Sequence, residues 1–396
     1  MGALFEHPVA GTLILVAASI AAGVAIGKIR WLGFQFGIGG VLFAGLFFGH
    51  LKVGPFAPEI LHFVREFGLI LFIYMIGIEI GPGFFASFRR HGLRLNLLAL
   101  VYVLLGFGCA AVGGWLTGMD AAAMAGVMSG AVTNTPGLGE AQQVLVRLSG
   151  EASLADRASL AYAITYPFGI VGMILTMSLA KRVLRIDLHA EHQSFRSIEA
   201  AFMPSRTLPK ASEHINIAPI FLGIVIGLIV GAIPIPVPGW STSLRLGMAG
   251  GPLLVALVMG RIGRVGSVIL AIHPVANRTL REIGIAMFLA VVGLTAGRQL
   301  IATLVHGEGV YWMLIGAVIT LIPAALTILV ARFLFKENFL CISGLLSGAG
   351  TNPPSLAYAT HALNSSAPAL VFATVYALAM FLRVFCAQVL VLLLNP

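Results

Sequence analysis

The sequence predicts an all-α integral membrane protein of two inverted repeats, each with five transmembrane helices and one broken, re-entrant segment. Three observations predict this. Of 396 residues, 59% are hydrophobic and only 10% are charged, against roughly a quarter charged in an average soluble domain. A water-soluble globule built this way would lack its polar coat, whereas a bilayer tolerates apolar faces. Apolar runs of spanning length recur along the chain, and the second half repeats motifs of the first in the same order.

About 20 apolar residues match the hydrocarbon thickness. The expected spans of the first half are residues 9–27, 33–49, 67–83, 95–117 and 158–179. Those of the second half are 217–235, 246–260, 283–297, 311–331 and 371–394. Two further apolar stretches, 121–146 and 339–359, are interrupted by polar residues and proline. The 47 glycines suit closely packed membrane helices. The stretch from Met1 to His7 has no Lys or Arg, so the first span reads as retained rather than as a cleaved signal. Residues 181–216 are polar, carry Pro204 and Pro209, and read as a strap with one short amphipathic helix. The organisation is then an N-terminal membrane repeat (1–180), a cytoplasmic linker (181–216) and a C-terminal membrane repeat (217–396).

The repeat is read from ordered matches. Arg65-Glu66-Phe67-Gly68 recurs as Arg281-Glu282-Ile283-Gly284, with Gly77 and Gly81 matching Gly293 and Gly297. Ser129-Gly130-Ala131-Val132-Thr133-Asn134-Thr135-Pro136 recurs as Ser347-Gly348-Ala349-Gly350-Thr351-Asn352-Pro353-Pro354. Ala163 and Tyr166 match Ala373 and Tyr376.

The net charge of +9 does not point to nucleic acid, because the basic residues sit in short gaps between apolar runs. They form four clusters: Arg89, Arg90 and Arg94; Lys181, Arg182 and Arg185; Arg261, Arg264 and Arg278; Arg332 and Lys336. The positive-inside rule places all four in the cytoplasm. This holds only if each broken segment enters and leaves on one side, giving five crossings per half and an inverted second half. Both termini then lie outside; an unbroken crossing through each broken segment would instead give six spans per half and parallel repeats, with one basic cluster stranded outside.

Thr133-Asn134-Thr135-Pro136 and Thr351-Asn352-Pro353-Pro354 are the expected substrate-binding elements. Proline is expected to break each helix, and a broken helix in hydrocarbon must satisfy its free backbone groups from protein or from a water-lined cavity. The positive end of the following half-helix suits an anion, and transporters place substrate at such midplane breaks. Packing kinks without ligand are the structural alternative. Arg383, flanked by Phe381, Leu382, Val384 and Phe385, is a guanidinium inside an apolar span. It either forks onto a substrate carboxylate or makes a structural ion pair. Glu79 is read as a proton or cation site, as the partner of Arg383, or as an interfacial residue.

Enzyme chemistry is not expected. Gly81-Pro82-Gly83 lacks the spacing and lysine of a phosphate loop, and there is no Walker motif. The histidines and Cys109, Cys341 and Cys386 lack metal-ligand spacing, so neither cofactor nor metal is expected.

The motif from Ser129 to Pro136, Glu66-Phe-Gly-Leu-Ile-Leu-Phe72 with Gly81-Pro-Gly-Phe-Phe85, and Ala249-Gly-Gly-Pro252 resemble the aspartate:alanine exchanger family of bacterial membrane transporters. The resemblance covers essentially all membrane segments. It implies an inner-membrane carrier that exchanges amino acids or related carboxylates. Family members carry a large cytosolic insertion between the halves, and here only the 181–216 linker stands in its place. The expected function is secondary active transport of a small carboxylate by an elevator-like movement, with an ion channel as the rival. The expected partners are the lipid bilayer and a second copy of the chain in a homodimer, with no nucleic acid.

Overall fold

A computed structural model of the chain describes residues 7–31, 34–51, 57–84, 91–196, 217–236, 245–266 and 268–394. It is helical nearly throughout. Among the described residues, strands are limited to two antiparallel two-residue ladders, β1 (Arg30–Trp31) with β2 (Phe34–Gln35), and β3 (Arg264–Val265) with β4 (Val268–Ile269). The first half runs α1 (Pro8–Gly27), α2 (Gly40–His50), α3 (Pro58–Phe84), α4 (His91–Thr117), α5 (Ala121–Ala131), α6 (Thr135–Ser149) and α7 (Ala152–Val183). A short α8 (Leu188–Arg196) follows within the expected linker, of which residues 197–216 lie outside the described residues. The second half runs α9 (Ala218–Ala232), α10 (Gly247–Ile262), α11 (Pro274–His306), α12 (Gly309–Leu329), α13 (Phe339–Ala349), α14 (Pro353–Ala362) and α15 (Ala367–Leu394). Among the described residues, six helices are long and apolar enough to cross a membrane unaided. The chain is a multi-pass, all-α membrane protein.

Local chemistry sets the ends of the hairpin arms. Asp120 caps α5 by accepting the N–H of Ala123 at 2.9 Å, which satisfies one of the donors that a helix start leaves free. Gly150 ends α6 in the left-handed conformation (φ 74°), where a side chain would be strained.

The path of each broken segment follows from its neighbours. A methyl at Gly126 would meet the Ala158 carbonyl and Ala161, and one at Gly130 would meet Tyr162 and Thr165. So α5 runs alongside α7 in the same direction, with backbones in close approach. Thr135 hydrogen-bonds Tyr162 at 3.0 Å, while Gln142 reaches the Ala155 carbonyl at 2.8 Å and Ser159 at 2.7 Å. So α6 runs back against α7. Together α5 and α6 form a re-entrant hairpin that opens on the face where α7 begins. On that face Arg157 pairs with Asp120 at 2.7 Å and with Glu308 at 2.8 Å.

The second hairpin is built likewise and opens the other way. Gly344 and Gly348 of α13 lie against Pro368, Val371, Phe372 and Val375 of α15. Asn352 donates to the Gly169 carbonyl at 3.1 Å and Tyr358 bonds Ser178 at 2.7 Å, so α14 runs with α7 toward its far end. There Glu191 of α8 accepts the N–H of Phe339, the first residue of α13, at 2.7 Å.

This second face also receives the ends of α3 and α10, which run together where Gly77 and Gly81 meet Ala256, Leu257 and Arg261. The helix ends carrying Arg94, Lys181, Arg182, Arg185, Arg261, Arg264, Arg278, Arg332 and Lys336 thus lie on one face. Arg89 and Arg90 lie outside the described residues. Thr12 bonds the Ala57 N–H at 2.8 Å near the start of α3, and Leu394 packs on Gly114 near the end of α4. Both described chain ends therefore lie on the opposite, first face.

Matched residues of the halves meet each other. A methyl at Gly68 would fall 2.7 Å from the Gly284 carbonyl oxygen, and one at Gly284 would fall 2.7 Å from the Gly68 carbonyl oxygen. Thr133 and Thr351 also cross, the Thr133 hydroxyl donating to the Thr351 carbonyl and the Thr351 hydroxyl to the Val132 carbonyl. A local two-fold axis makes such self-complementary contacts.

Candidate functional site

The two breaks cross at the centre of the bundle. Thr133 (φ 52°) and Thr351 (φ 49°) both adopt the left-handed conformation, which costs a non-glycine residue about 1–2 kcal/mol. The surroundings hold them there. The Thr133 hydroxyl donates to the Thr351 carbonyl at 3.2 Å, and the Thr351 hydroxyl donates to the Val132 carbonyl at 3.1 Å. Asn134 Nδ2 donates to Thr351 Oγ1 at 3.2 Å. All five polar residues of the breaks, Thr133, Asn134, Thr135, Thr351 and Asn352, are buried. Strained, matched and mutually bonded backbone of this kind clusters at functional sites.

The cause of the breaks differs from the sequence expectation. Proline does not interrupt a helix here. Pro136 and Pro353 stand in the first turn of α6 and α14, where the missing N–H would have had no helical partner. The interruption comes from the left-handed threonines, and Asn134 and Asn352 restart the chain as N-caps.

The expected anion site made of free backbone N–H groups is also corrected. In α6, the Gly137 N–H goes to Asn134 Oδ1 at 2.6 Å, the Thr135 N–H to the Thr133 carbonyl and the Leu138 N–H to the Asn134 carbonyl. In α14, Pro353 and Pro354 have no N–H, Ser355 donates to Asn352 Oδ1 at 2.9 Å and Leu356 to the Asn352 carbonyl. The asparagines have taken the place an anion would occupy. Any anion bound at the crossing in this conformation must find side-chain donors.

Arg383 carries donors of that kind. It is buried on α15, and its Nε donates to the Ala349 carbonyl at the end of α13 at 2.8 Å. Its guanidinium lies 5.5 Å from the ring centroid of Tyr102, a cation–π distance. Among the described residues no carboxylate lies within ion-pair reach of it, and its Nη2 has no hydrogen-bond partner. Arg383, Asn134 and Ser129, whose hydroxyl is likewise unpartnered, line one cavity with Val103, Phe107 and Cys386. Its volume is about 10 Å³, room for about one water. Asn352 does not line this cavity, since its amide is spent on Gly169 and on its own cap.

Glu79 stands elsewhere. It pairs with Arg281 at 2.5 Å and accepts from Asn277 at 3.2 Å on the second face, with its side chain half exposed. It is not the partner of Arg383.

A larger cavity of about 380 Å³ opens beside α6, lined by His62, Arg65, Glu66, Gln143, Arg147 and Arg245 among others. Behind it lies Glu140, 1% exposed, whose Oε1 accepts from Gln388 Nε2 at 2.6 Å. Sequence reasoning passed over Glu140, Ser129 and Gln388. The signal for Glu140 was present, as an acid inside an apolar broken segment, six residues beyond Asn134. Nothing in the sequence brought Gln388 or Arg245 to it.

The family profile described as "Predicted Permease Membrane Region", that of the aspartate:alanine exchangers, matches residues 15–182 and 219–392. The chain belongs to this family. Proteins of Klebsiella pneumoniae (strain 342) and Serratia proteamaculans (strain 568), each named "Putative transport protein", are 32% identical over 546 aligned positions, covering 97% of this chain and 99% of theirs. The permease is thus a transporter, and its relatives are longer than its 396 residues. The profile match is interrupted between residues 182 and 219, where α8 and the linker lie.

Proposed function

We propose that this permease is a secondary active exchanger of an amino acid or other small carboxylate across the bacterial inner membrane. The observation that carries the reading is Arg383. A guanidinium buried without an anionic partner is costly at membrane depth, and a carboxylate entering beside Ser129 and Asn134 would complete it with a bidentate, charge-assisted contact. The cationic residues of the large cavity, Arg65, Arg147 and Arg245, favour anionic solutes on the approach. The water-sized space at the crossing supports a carrier caught with its site closed rather than a continuous pore. Movement of the hairpins with α7 and α15 against the remaining helices would open the site to each side in turn.

The test is counterflow. Proteoliposomes loaded with unlabelled L-aspartate should take up labelled L-aspartate in a saturable manner, and empty liposomes should not. A panel of amino acids and dicarboxylates as counter-solutes ranks the substrates. Flux that ignores the internal solute and does not saturate would favour a channel.

A further inference from the structure

Glu140 lies two turns into α6, about 9 Å along the helix from the break, still within half of a roughly 30 Å hydrocarbon core. It is buried, and its partners are neutral. Gln388 on α15 donates to Oε1, the Ala249 N–H of α10 is a second donor, and Oε2 has no partner. The charged groups that act on it are Arg147 on its own helix and Glu66 on α3, which oppose each other. Arg147 is not in ion-pair contact with it among the described residues, and Glu66 is engaged by Arg65 at 3.2 Å and Gln143 at 3.1 Å. Arg245 faces the group through its backbone, whose carbonyl accepts from Gln388.

An ionised carboxylate held by two neutral donors at this depth is disfavoured, so a proton is the economical counter-ion. Access is at hand. Gly247 (φ 66°) lines the 380 Å³ cavity, and a methyl on it would fall on the Glu140 carboxylate. The wall between carboxylate and water is one glycine thick.

From this geometry we infer that Glu140 is a proton-binding site reached from the large cavity, and that it makes the transport cycle proton-linked. The inference rests on the carrier reading for its role in the cycle. The step is a simple protonation: Oε2 takes a proton from cavity water, and returns it there when the site is hydrated or the surroundings become more positive. Gln388 shares α15 with Arg383, five residues away, so a shift of α15 on substrate binding would change the hydrogen bond that favours the charged form.

Infrared difference spectroscopy of the protein in lipid, with pH steps and no solute, tests the site independently of transport. As the pH falls, and before it reaches the range near about 4 where ordinary carboxylates titrate, the wild type should gain a deuterium-sensitive C=O stretch of a protonated carboxyl. Glu140→Gln should lose that band, and Glu79→Gln should keep it. Gln388→Leu removes a donor to the charged form and should move the band's midpoint up by about one pH unit. Should Glu140→Gln not fold, the Gln388→Leu shift decides. A band that survives in Glu140→Gln, or an unmoved midpoint in Gln388→Leu, overturns the inference while leaving the counterflow test of the carrier untouched.

Discussion

The two hairpins share a motif and differ in their surroundings. In the first, every residue from Ala121 to Gln142 is buried. In the second, burial is continuous from Phe339 to Asn352 and then confined to one face, with Ser355 and Ala359 buried but Pro353, Ala357 and His361 exposed along α14. The entering arms α5 and α13 are equivalent, both of 11 residues and both packed through glycine onto α7 or α15. The returning arms are not. α6 has 15 residues and is tied to α3 through Gln143 and Glu66, to α7 through Gln142, and to α15 through Glu140. α14 has 10 residues, and beyond its cap its side chains reach α7 at Ser178 and α13 at Ser347. The matched motifs thus meet at the crossing, while the returning arms differ in length and in contacts. Elements with fewer buried contacts open at lower free energy, which makes α14 the more readily moved arm.

Arg383 should show the largest effect, because it serves both hairpins. It bonds the end of α13 and lines the cavity with Asn134. Arg383→Lys keeps the charge and loses the planar fork, and the affinity for L-aspartate in counterflow should fall roughly ten- to a hundredfold, the worth of one or two charged hydrogen bonds. An unchanged apparent KM would make Arg383 structural.

The entering arms should respond alike. A methyl at Gly126 would meet the Ala158 carbonyl, and one at Gly344 the Pro368 carbonyl, both closer than packing permits. Gly126→Ala and Gly344→Ala should each destabilise by about 1–3 kcal/mol, seen as lowered midpoints in thermal unfolding. One tolerant site would mean that the arms are less equivalent than their shared packing implies.

The asparagines separate the returning arms. Both cap a half-helix, and each →Ala change should cost about 1 kcal/mol for the cap. Asn134 also donates to Thr351 of the other hairpin, whereas Asn352 donates to a carbonyl of α7. Asn134→Ala should therefore lower both stability and solute affinity, and Asn352→Ala chiefly stability. Thermal unfolding with and without L-aspartate distinguishes the two.

The all-α membrane class was legible in the sequence because lipid imposes it: span length and apolar composition answer to the bilayer and need no tertiary knowledge. Arg65-Glu66 and Arg281-Glu282 stood at recognisable places, and the breaks at Thr133 and Thr351 were visible as repeats. The division of labour inside each break was not. Proline is the obvious helix breaker, yet the left-handed threonines interrupt the chain, because their hydroxyls find carbonyls on the opposite hairpin. That contact spans more than 200 residues of sequence, beyond the reach of any local pattern. Glu140 was hidden for the same reason, since its partners come from α10 and α15.

The smallest expected effect lies at the mouths of the hairpins. The first is capped from within by Asp120, which also pairs with a half-exposed Arg157. The second is capped by Asn338 and also by Glu191 from the linker helix α8, whose carboxylate holds Phe339 N–H and Arg332 at 2.7 and 2.8 Å. Glu191 is buried and Asp120 is not, so the linker contact is the stronger of the two. Glu191→Gln should loosen the start of α13 by about 1 kcal/mol, and Asp120→Asn the start of α5 by a few tenths. Hydrogen exchange read separately on peptides from 339–346 and 121–128 should show each change confined to its own hairpin. If Glu191→Gln speeds exchange in both, the linker helix stabilises the whole bundle. If the change stays local, α8 acts on one mouth alone. It lies in the interval between the two matched stretches of the family profile, next to the mouth of the second hairpin.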